Sequence, residues 1–150
     1  MERVITKREA TKADYEFAKK VHHDGYHDLI VKRYGSWDEN MQDGFFDKTW
    51  NQGNHSIILE SEIPCGYCMV ESKPDHIYVN ELVISPKFQG KGIGSSILRG
   101  ITDEAKLKKL PVRLQVYKEN EAQHLYRRLG FKDIGKTDTH FQMELDPSNS

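Results

Sequence analysis

The hydrophobic positions of the chain follow two periods, and the local period predicts the local element. Short runs rich in β-branched and aromatic residues predict strands, because such side chains pack well on a pleated surface. Turn residues at Pro64 and at 73–75 separate three consecutive runs, which predicts an antiparallel meander. The predicted strands are residues 4–7, 55–60, 66–72, 76–84, 112–117, 133–137 and 141–145.

Between these strands, hydrophobic residues recur at the spacing of an amphipathic helix. Thr11 is placed to cap a first helix, which Gly25 is predicted to interrupt before a second helical patch at 27–34. Ser36 is placed to cap a further helix over residues 37–50.

The strongest helical pattern begins at Gly92 and stops before Pro111. Asn120 is placed to cap the last helix, and Gly130 is placed to end it. The order of strands and helices predicts an α/β fold around a mixed sheet. A length of 150 residues predicts one domain that spans residues 1–150. The hydrophobic face of the strongest helix consists of Ile93, Ile97, Leu98, Ile101 and Ala105.

Composition and charge argue against several classes of partner. With 22 Lys and Arg against 23 Asp and Glu, the chain lacks the basic excess typical of nucleic-acid-binding proteins. No hydrophobic stretch approaches the roughly 20 residues of a membrane span, and the charged N-terminal segment predicts no secretory signal. Cys65 and Cys68 supply no disulfide framework, so a cytoplasmic location is expected. We therefore expect neither a nucleic-acid partner nor a membrane partner.

A glycine-rich turn, QGKGIG at residues 89–94, joins the predicted strand 76–84 to the strongest helix. One interpretation is a tight strand-to-helix connection and nothing more. The other is an anion site, because glycines let a ligand approach the backbone and the first N–H groups of a helix lack internal partners.

Two nucleotide-binding patterns fit this turn poorly. A P-loop requires a glycine five residues before Gly90, where Ser85 stands, and a Ser or Thr directly after Lys91, where Gly92 stands. A dinucleotide-binding turn requires a third glycine at the position of Ser95. A nucleotide-binding α/β domain is therefore kept only as a rival hypothesis.

The turn and its surroundings resemble the GNAT family of N-acetyltransferases. Residues 89–94 match the family pattern [QR]-x-x-G-x-[GA] at every fixed position, and the run NELVISPKFQGKGIG at 80–94 is similar to the family's strand and turn. Asn120 then precedes residues 122–131, which match the pattern A-x-x-x-Y-x-x-x-G-F. The close similarity covers residues 77–135, whereas the first third of the chain fits only in its order of elements.

The resemblance implies a GNAT-type acyl-CoA N-acyltransferase fold, whose mixed central sheet is splayed between its fourth and fifth strands and flanked by about four helices. It also implies acetyl-CoA as the cosubstrate. The splay exposes backbone groups that hydrogen-bond the pantetheine arm, while the turn binds the pyrophosphate. The residues implied to bind the coenzyme are Leu82, Val83, Ile84, Gln89, Gly90, Lys91, Gly92, Ile93, Gly94, Ser95 and Asn120.

The resemblance implies direct transfer to an amine, with two catalytic residues. Tyr126 is implied to be the general acid that protonates the leaving thiolate, because its ordinary pKa of about 10 keeps it protonated. Its place on the apolar face of a helix also fits a core tyrosine. Glu81 is implied to be the base, often through water, and partial burial would raise its pKa toward neutrality. The alternative is a Glu81 that faces solvent or is structurally paired.

The spacing of the cysteines and histidines predicts no metal or redox site. Cys65 and Cys68 begin a predicted strand, whereas a redox C-x-x-C pair opens a helix, and no second pair completes a zinc site. His22, His23 and His27 lie around the predicted break at Gly25, and the chain contains no H-E-x-x-H pattern. We therefore predict no bound metal.

The acceptor is predicted only as a primary amine of a small molecule or a peptide. Residues 37–47 combine four acids with three aromatic residues and no base, which suits a cationic amine. The alternative is an ordinary amphipathic helix with Trp37, Met41 and Phe45 in the core. If this segment lines a pocket, Tyr26, Trp37 and Phe45 are the candidate acceptor-binding residues.

The sequence thus predicts an acetyl-CoA-dependent N-acetyltransferase. The alternative is a non-catalytic acyl-CoA-binding sensor on the same fold. The sequence leaves a homodimer open, and it does not identify the acceptor.

Overall fold

A computed structural model describes residues 4–149, which contain seven strands and four α-helices. None of the helices in this range is both long enough and apolar enough to cross a membrane. The helices are α1 (Tyr15–Tyr34), α2 (Glu39–Trp50), α3 (Ile93–Leu107) and α4 (Ala122–Arg128). The strands are β1 (Ile5–Glu9), β2 (His55–Glu60), β3 (Ile63–Ser72), β4 (Ile77–Ile84), β5 (Val112–Tyr117), β6 (Lys132–Lys136) and β7 (His140–Leu145).

The strands form one mixed sheet in the order β1-β2-β3-β4-β5-β7-β6. β4 and β5 run parallel, whereas β1–β2, β2–β3, β5–β7 and β6–β7 are antiparallel pairs. The parallel pairing covers only three residue pairs, from Ile77 with Val112 to Val79 with Leu114. Within residues 4–149, the C-terminal half of β4 has no partner on β5. The predicted mixed sheet, splayed between its fourth and fifth strands and flanked by four helices, is confirmed.

The chain forms two compact units, of which the first comprises residues 4–69 and 81–94 and the second residues 70–80 and 95–149. Strands β3 and β4 contribute residues to both units. Each unit has its own buried side chains. Whether the whole chain acts as one domain stays a prediction.

The core of the first unit is built by α1, α2 and the strands beside them. Phe46 of α2 packs edge-on against Tyr15 and Tyr67, with ring centroids 5.7 and 6.3 Å away, and stacks on Trp50 at 5.7 Å. Such aromatic pairs stabilise a core beyond the area that they bury. The buried members of this core are Ala18, Val21, Phe46, Ile57, Tyr67 and Val83.

The second unit confirms two sequence predictions. The predicted face of α3 is buried at Ile97, Leu98, Ile101 and Ala105. Gly130 ends α4 with a φ of 105°, a left-handed conformation that favours glycine.

Two predictions about the helices of the first unit are wrong. Gly25 does not interrupt α1, which runs on to Tyr34 and ends at Gly35. Ser36 does not cap α2, because Asp38 does: its Oδ1 accepts a hydrogen bond from the Met41 N–H at 3.0 Å.

The buried face of α2 also differs from the predicted one. Gln42 and Phe46 are buried, whereas Met41 is 54% exposed and Phe45 57% exposed. Trp37, half-buried, precedes the helix. The adjacent Phe45 and Phe46 allow two helical registers one residue apart, and packing against Tyr15 and Tyr67 selects Phe46.

Gly25 and Gly66 allow a close approach to the end of β4 in the first unit. A Cβ atom built on Gly66 would lie 2.3 Å from the carbonyl oxygen of Val83, and one built on Gly25 would lie 2.8 Å from the Val83 Cγ1. Glycine at position 25 therefore serves helix packing, although glycine in a helix interior costs roughly 0.5–1 kcal/mol relative to alanine.

We expect Gly66→Ala to lower the free energy of unfolding by at least about 1–3 kcal/mol, because the methyl group must displace backbone rather than a flexible side chain. Gly44→Ala is the matched control, since nothing lies within 4 Å of a Cβ at this helical position. The control should be neutral or stabilising by up to about 1 kcal/mol. Denaturant unfolding of both variants measures the difference, and equal stability would contradict the proposed close approach.

Candidate active site

Glu81 of β4 carries a partly buried carboxyl group in the first unit. The Tyr67 hydroxyl donates a hydrogen bond of 2.5 Å to Glu81 Oε2. Burial raises the pKa of Glu81 above its ordinary value, while the hydrogen bond from Tyr67 acts in the opposite direction. Glu81 therefore does not face open solvent, and it is also structurally paired. A carboxyl group with a raised pKa is suited to accept a proton near neutral pH.

Tyr67 is a polar side chain that the sequence prediction missed. It is fully buried, and its pKa lies well above the ordinary value because of burial and then the charge of Glu81. Tyr26 also contributes to this shift, so the Tyr26 and Tyr67 side chains interact electrostatically. No sequence signal distinguishes Tyr67 from an ordinary strand tyrosine, because its partner Glu81 lies on another strand.

His55 adds a second buried polar group beside Tyr67. The two rings lie 5.7 Å apart, and the His55 Nδ1 contacts the Gly53 carbonyl oxygen at 3.1 Å. Its Nε2 atom is buried and has no hydrogen-bond partner within residues 4–149. Burial lowers the pKa of His55, so the ring is neutral at neutral pH.

The three candidate acceptor-binding residues lie in different environments of the first unit. Tyr26 is half-buried, with its ring 4.9 Å from that of His22. Trp37 lies 5.1 Å from the His23 ring, and its Nε1 donates to Glu39 Oε2 at 2.6 Å. Phe45 is mostly exposed. The structure thus places Tyr26 beside His22 and Trp37 beside His23, whereas Phe45 is mostly exposed.

The glycine turn is exposed and has room for a ligand. Gly90 and Gly92 have φ values of 77° and 82°, and no atom lies within 4 Å of a Cβ built at either position. The Gln89 side chain holds the turn to β4 by donating to the Ile84 carbonyl oxygen at 2.9 Å. Ile93, which is buried, begins α3. The positive φ values therefore favour glycine at both positions, whereas packing places no demand there.

The predicted pantetheine-binding segment is the part of β4 that lies beyond its pairing with β5. Val83 is buried, while Leu82 and Ile84 are half-buried. Because the pairing with β5 ends at Val79, the backbone groups of this segment on that side are not used by the sheet. Unpaired strand backbone groups are suited to bind an extended ligand.

In the second unit, Tyr126 lies within α4 and Asn120 lies in the turn before it. Tyr126 is 9% exposed, and burial raises its pKa to about 12. Its hydroxyl makes no hydrogen bond within the described part of the chain. Asn120 Oδ1 accepts a hydrogen bond from the N–H of Ala122, the first residue of α4, at 2.8 Å, while Glu121 holds the N-cap position. Ser95 is half-buried in the first turn of α3.

His23, Glu39 and Asp43 form a cluster that the sequence did not predict. One ligand atom from each lies within 4.8 Å of the other two, a spacing that a metal ion tolerates. Lys19 Nζ, however, lies 3.5 Å from Asp43 Oδ1, where its charge opposes cation binding. Cys65 and Cys68 are free and buried, and burial raises the pKa of both thiols.

We expect Tyr67→Phe to raise the pKa of Glu81 further, because the variant loses the hydrogen bond that favours the carboxylate. The folded state then binds the proton even more tightly than the unfolded chain, so the free energy of unfolding falls more steeply as the pH rises through the folded pKa of Glu81. NMR titration of the Glu81 side-chain carboxyl carbon measures the shift. Tyr78→Phe, on the same strand as Glu81, is the control. An unchanged Glu81 pKa in Tyr67→Phe would contradict the expectation.

Solved structures from several organisms share this fold. The PaiA N-acetyltransferase of Thermoplasma acidophilum, solved with coenzyme A, is 17% identical, with 95% of this chain and 99% of that chain covered at a TM-score of 0.76. PH1933 of Pyrococcus horikoshii OT3 is 23% identical, with coverages of 97% and 98% and a TM-score of 0.74. The ribosomal-protein-S18-alanine N-acetyltransferase of Escherichia coli is 18% identical, with coverages of 95% and 94% and a TM-score of 0.69. At these identities the likeness establishes the fold.

A search of curated protein sequences found no match. The sequence model of one protein family, described as the acetyltransferase (GNAT) domain, matches residues 51–133, which are more than half of the chain. The matched segment includes Glu81, the glycine turn, Asn120 and Tyr126. The chain therefore belongs to the GNAT family of acetyltransferases.

Proposed function

We propose that this protein is an acetyl-CoA-dependent N-acetyltransferase that transfers the acetyl group directly to a primary amine of a small molecule or a peptide. Family membership supports acetyl transfer in general. The observation that carries the finer proposal is Glu81, a carboxyl group with a raised pKa on β4, the strand that leads to the glycine turn. A coenzyme-binding turn and a base within one compact unit are what direct transfer to an amine requires.

The turn and the end of β4 are the proposed coenzyme-binding residues. Open space beside Gly90 and Gly92 fits a pyrophosphate, and the first N–H groups of α3 favour negative charge. Lys91 adds a positive charge at the rim of the turn. A likeness to a structure solved with coenzyme A supports the same assignment. Bound acetyl-CoA supplies the thioester from which the acetyl group is transferred.

Glu81 is the proposed base that takes a proton from the attacking nitrogen, directly or through water. Its raised pKa brings the carboxyl group toward the range in which a base works efficiently. A backbone N–H of the end of β4, among Leu82, Val83 and Ile84, is proposed to stabilise the oxyanion. One such donor contributes roughly 10²–10³ in rate.

Tyr126 is the proposed acid that protonates the departing thiolate. Its raised pKa keeps the hydroxyl protonated at neutral pH, and the hydroxyl is free to donate, since it makes no hydrogen bond within residues 4–149. No cysteine is assigned a covalent role, because burial raises the thiol pKa values of Cys65 and Cys68. Asn120 is proposed to contact the coenzyme arm.

The same proposal treats residues 1–150 as one acetyltransferase domain in the cytoplasm. Two free and buried cysteines fit a reducing compartment, and the net charge of −1 argues against a nucleic-acid partner. A single cooperative melting transition tests the domain assignment. The rival function, a non-catalytic acyl-CoA sensor, predicts binding of acetyl-CoA without turnover of any amine.

We expect acetyl-CoA and CoA, but not NAD or ATP at equal concentration, to raise the melting temperature. A ligand at 100 times its dissociation constant adds about 2.7 kcal/mol, which corresponds to a shift of several degrees for a domain of about 150 residues. Stabilisation by NAD or ATP alone would support a nucleotide-binding domain instead. No shift with saturating acetyl-CoA would mean that the glycine turn is only a connection.

Tyr126→Phe should lower kcat at least about tenfold, because the thiolate then leaves without a positioned acid. The melting shift with acetyl-CoA should persist, which shows that the variant folds and binds the coenzyme. Tyr34→Phe is the control, since Tyr34 is exposed. Steady-state thiol release with a panel of primary amines measures both variants, and near-normal turnover would remove Tyr126 from the mechanism.

A further inference from the structure

A chain of hydrogen bonds links the buried His22 of α1 to the surface of the first unit. The Nδ1 atoms of His22 and His23 lie 2.9 Å apart, and the His23 Nε2 lies 2.7 Å from Asp43 Oδ1 of α2. Exposure increases along this series of hydrogen bonds. His22 is 8% exposed, while the side chains of His23 and Asp43 are 12% and 29% exposed. The three side chains thus connect the interior to solvent.

The Asp43 carboxylate, at the outer end of these hydrogen bonds, fixes the tautomers of the His22 and His23 rings when both are neutral. The Asp43 carboxylate can only accept, so the His23 Nε2 carries the proton. The Nδ1 of a neutral His23 then has a lone pair and accepts from the His22 Nδ1–H. A neutral His22 is therefore left with a lone pair on Nε2, and this atom makes no hydrogen bond within residues 4–149.

The surroundings of His22 connect it to the groups of the proposed function. Its ring lies 4.9 Å from Tyr26 and 5.4 Å from Phe46. Tyr26 interacts electrostatically with Tyr67, which donates to Glu81. The His22 ring thus lies beside the proposed acceptor residue Tyr26.

Two more charged groups lie at the outer end of the chain. Lys19 Nζ is 3.5 Å from Asp43 Oδ1, and Glu39 Oε1 is 3.8 Å from the His23 Nε2. The carboxylates of Asp43 and Glu39 thus face the His23 ring, and the Lys19 ammonium lies beside Asp43.

We propose that His22 is a second general base, oriented by His23 and Asp43, which takes the first proton from the acceptor ammonium and relays positive charge to His23. This proposal rests on the proposed function and adds a residue that the family resemblance did not supply. An orienting group behind a histidine is a recurring arrangement in catalysis, because it sets the tautomer and stabilises the imidazolium.

The proton balance gives His22 and Glu81 separate roles. An acceptor ammonium has three protons, of which one stays on the product amide, one ends on the coenzyme thiol and one is released. His22 Nε2 takes the released proton before attack, while the His22 Nδ1 proton passes to His23 Nδ1. Glu81 takes the second proton as the new C–N bond forms, and Tyr126 gives its own proton to the departing thiolate. Afterwards Glu81 releases its proton to solvent and Tyr126 regains one from solvent, so both groups return to their starting states. When the product leaves, the His22–His23 pair returns one proton to solvent.

The pKa of His22 is compatible with this relay. Burial, with a smaller contribution from the charge of His23, lowers it to about 4, so His22 is neutral and able to accept a proton at neutral pH. A group with such a low pKa would hold the proton weakly by itself. Transfer of the other ring proton to His23 moves the charge out of the interior to the vicinity of Asp43.

The first test is His22→Asn in the full chain. The asparagine amide nitrogen replaces Nδ1 as donor to His23, but the variant has no basic atom at the position of Nε2. With n-propylamine as acceptor at pH 7.5 and saturating acetyl-CoA, we expect kcat to fall by about 10². With 2,2,2-trifluoroethylamine, which arrives largely neutral, the loss should be several-fold smaller. His76→Asn is the control, because the His76 ring pairs with Asp75 in the turn before β4.

Asp43→Asn tests the relay without altering a buried side chain. An asparagine amide can donate to the His23 Nε2 as well as accept from it, so the variant no longer holds His22 in the one tautomer that leaves a lone pair on Nε2. We expect a loss of turnover similar to that of His22→Asn, with the acetyl-CoA melting shift unchanged. Asp24→Asn is the matched control, because Asp24 is an acid of α1 that pairs with Lys20 at 2.8 Å.

Nitrogen-15 NMR of the histidine rings gives a readout that does not depend on turnover. The proposal requires His22 to be protonated on Nδ1 in the unmodified protein and to carry this proton at least partly on Nε2 in Asp43→Asn. A His22 protonated on Nε2 in the unmodified protein would overturn the proposal, as would equal losses for the two amines in His22→Asn. Normal turnover in His22→Asn would overturn the relay and leave the proposed function intact, whereas no turnover in the unmodified protein would contradict both.

Discussion

The close approach of α1 and β3 to Val83 is the constraint on which the first unit depends. Gly66 brings β3 against the backbone of Val83, and Gly25 brings α1 against its side chain. Any Cβ at position 66 would collide with a carbonyl oxygen, which cannot move away as a flexible side chain can. This close approach holds the C-terminal end of β4 between packed elements. Glu81 lies near the middle of that strand. Both the raised pKa of Glu81 and its hydrogen bond to Tyr67 follow from this burial.

Glu81 and His22 are two buried polar groups of the first unit, and each is hydrogen-bonded in a different way. Glu81 is desolvated but receives the Tyr67 hydroxyl, so its proton affinity is set by two opposing effects. His22 is desolvated and kept neutral, and its hydrogen bond leads outward to Asp43. Desolvation disfavours charge in the interior, whereas the hydrogen bonds connect the buried His22 ring to a carboxylate near solvent.

The sequence predicted the parts of the fold whose signal is local. The face of α3, the end of α4 at Gly130 and the strands of the meander were found because their periods and turn residues lie within short windows. The predicted helical break at Gly25 was wrong. Glycine has a low helix propensity, which favoured the break, but its missing side chain lets α1 pack against Val83 of β4. The buried face of α2 was misplaced by one residue, because two adjacent phenylalanines give equal local patterns and only Tyr15 and Tyr67 choose between them.

For the candidate site, the sequence by itself determined the order of elements, the glycine turn and the positions of Glu81, Asn120 and Tyr126 in a pattern that is typical of one family. These features depend on residue type and spacing, which a sequence displays directly. Only the tertiary structure decided that Tyr67 pairs with Glu81, that β4 leaves β5 after Val79, and that His22, His23 and Asp43 share one chain of hydrogen bonds. Each of these depends on the distance between atoms on different elements and on their removal from water, and neither quantity is set by spacing along the chain.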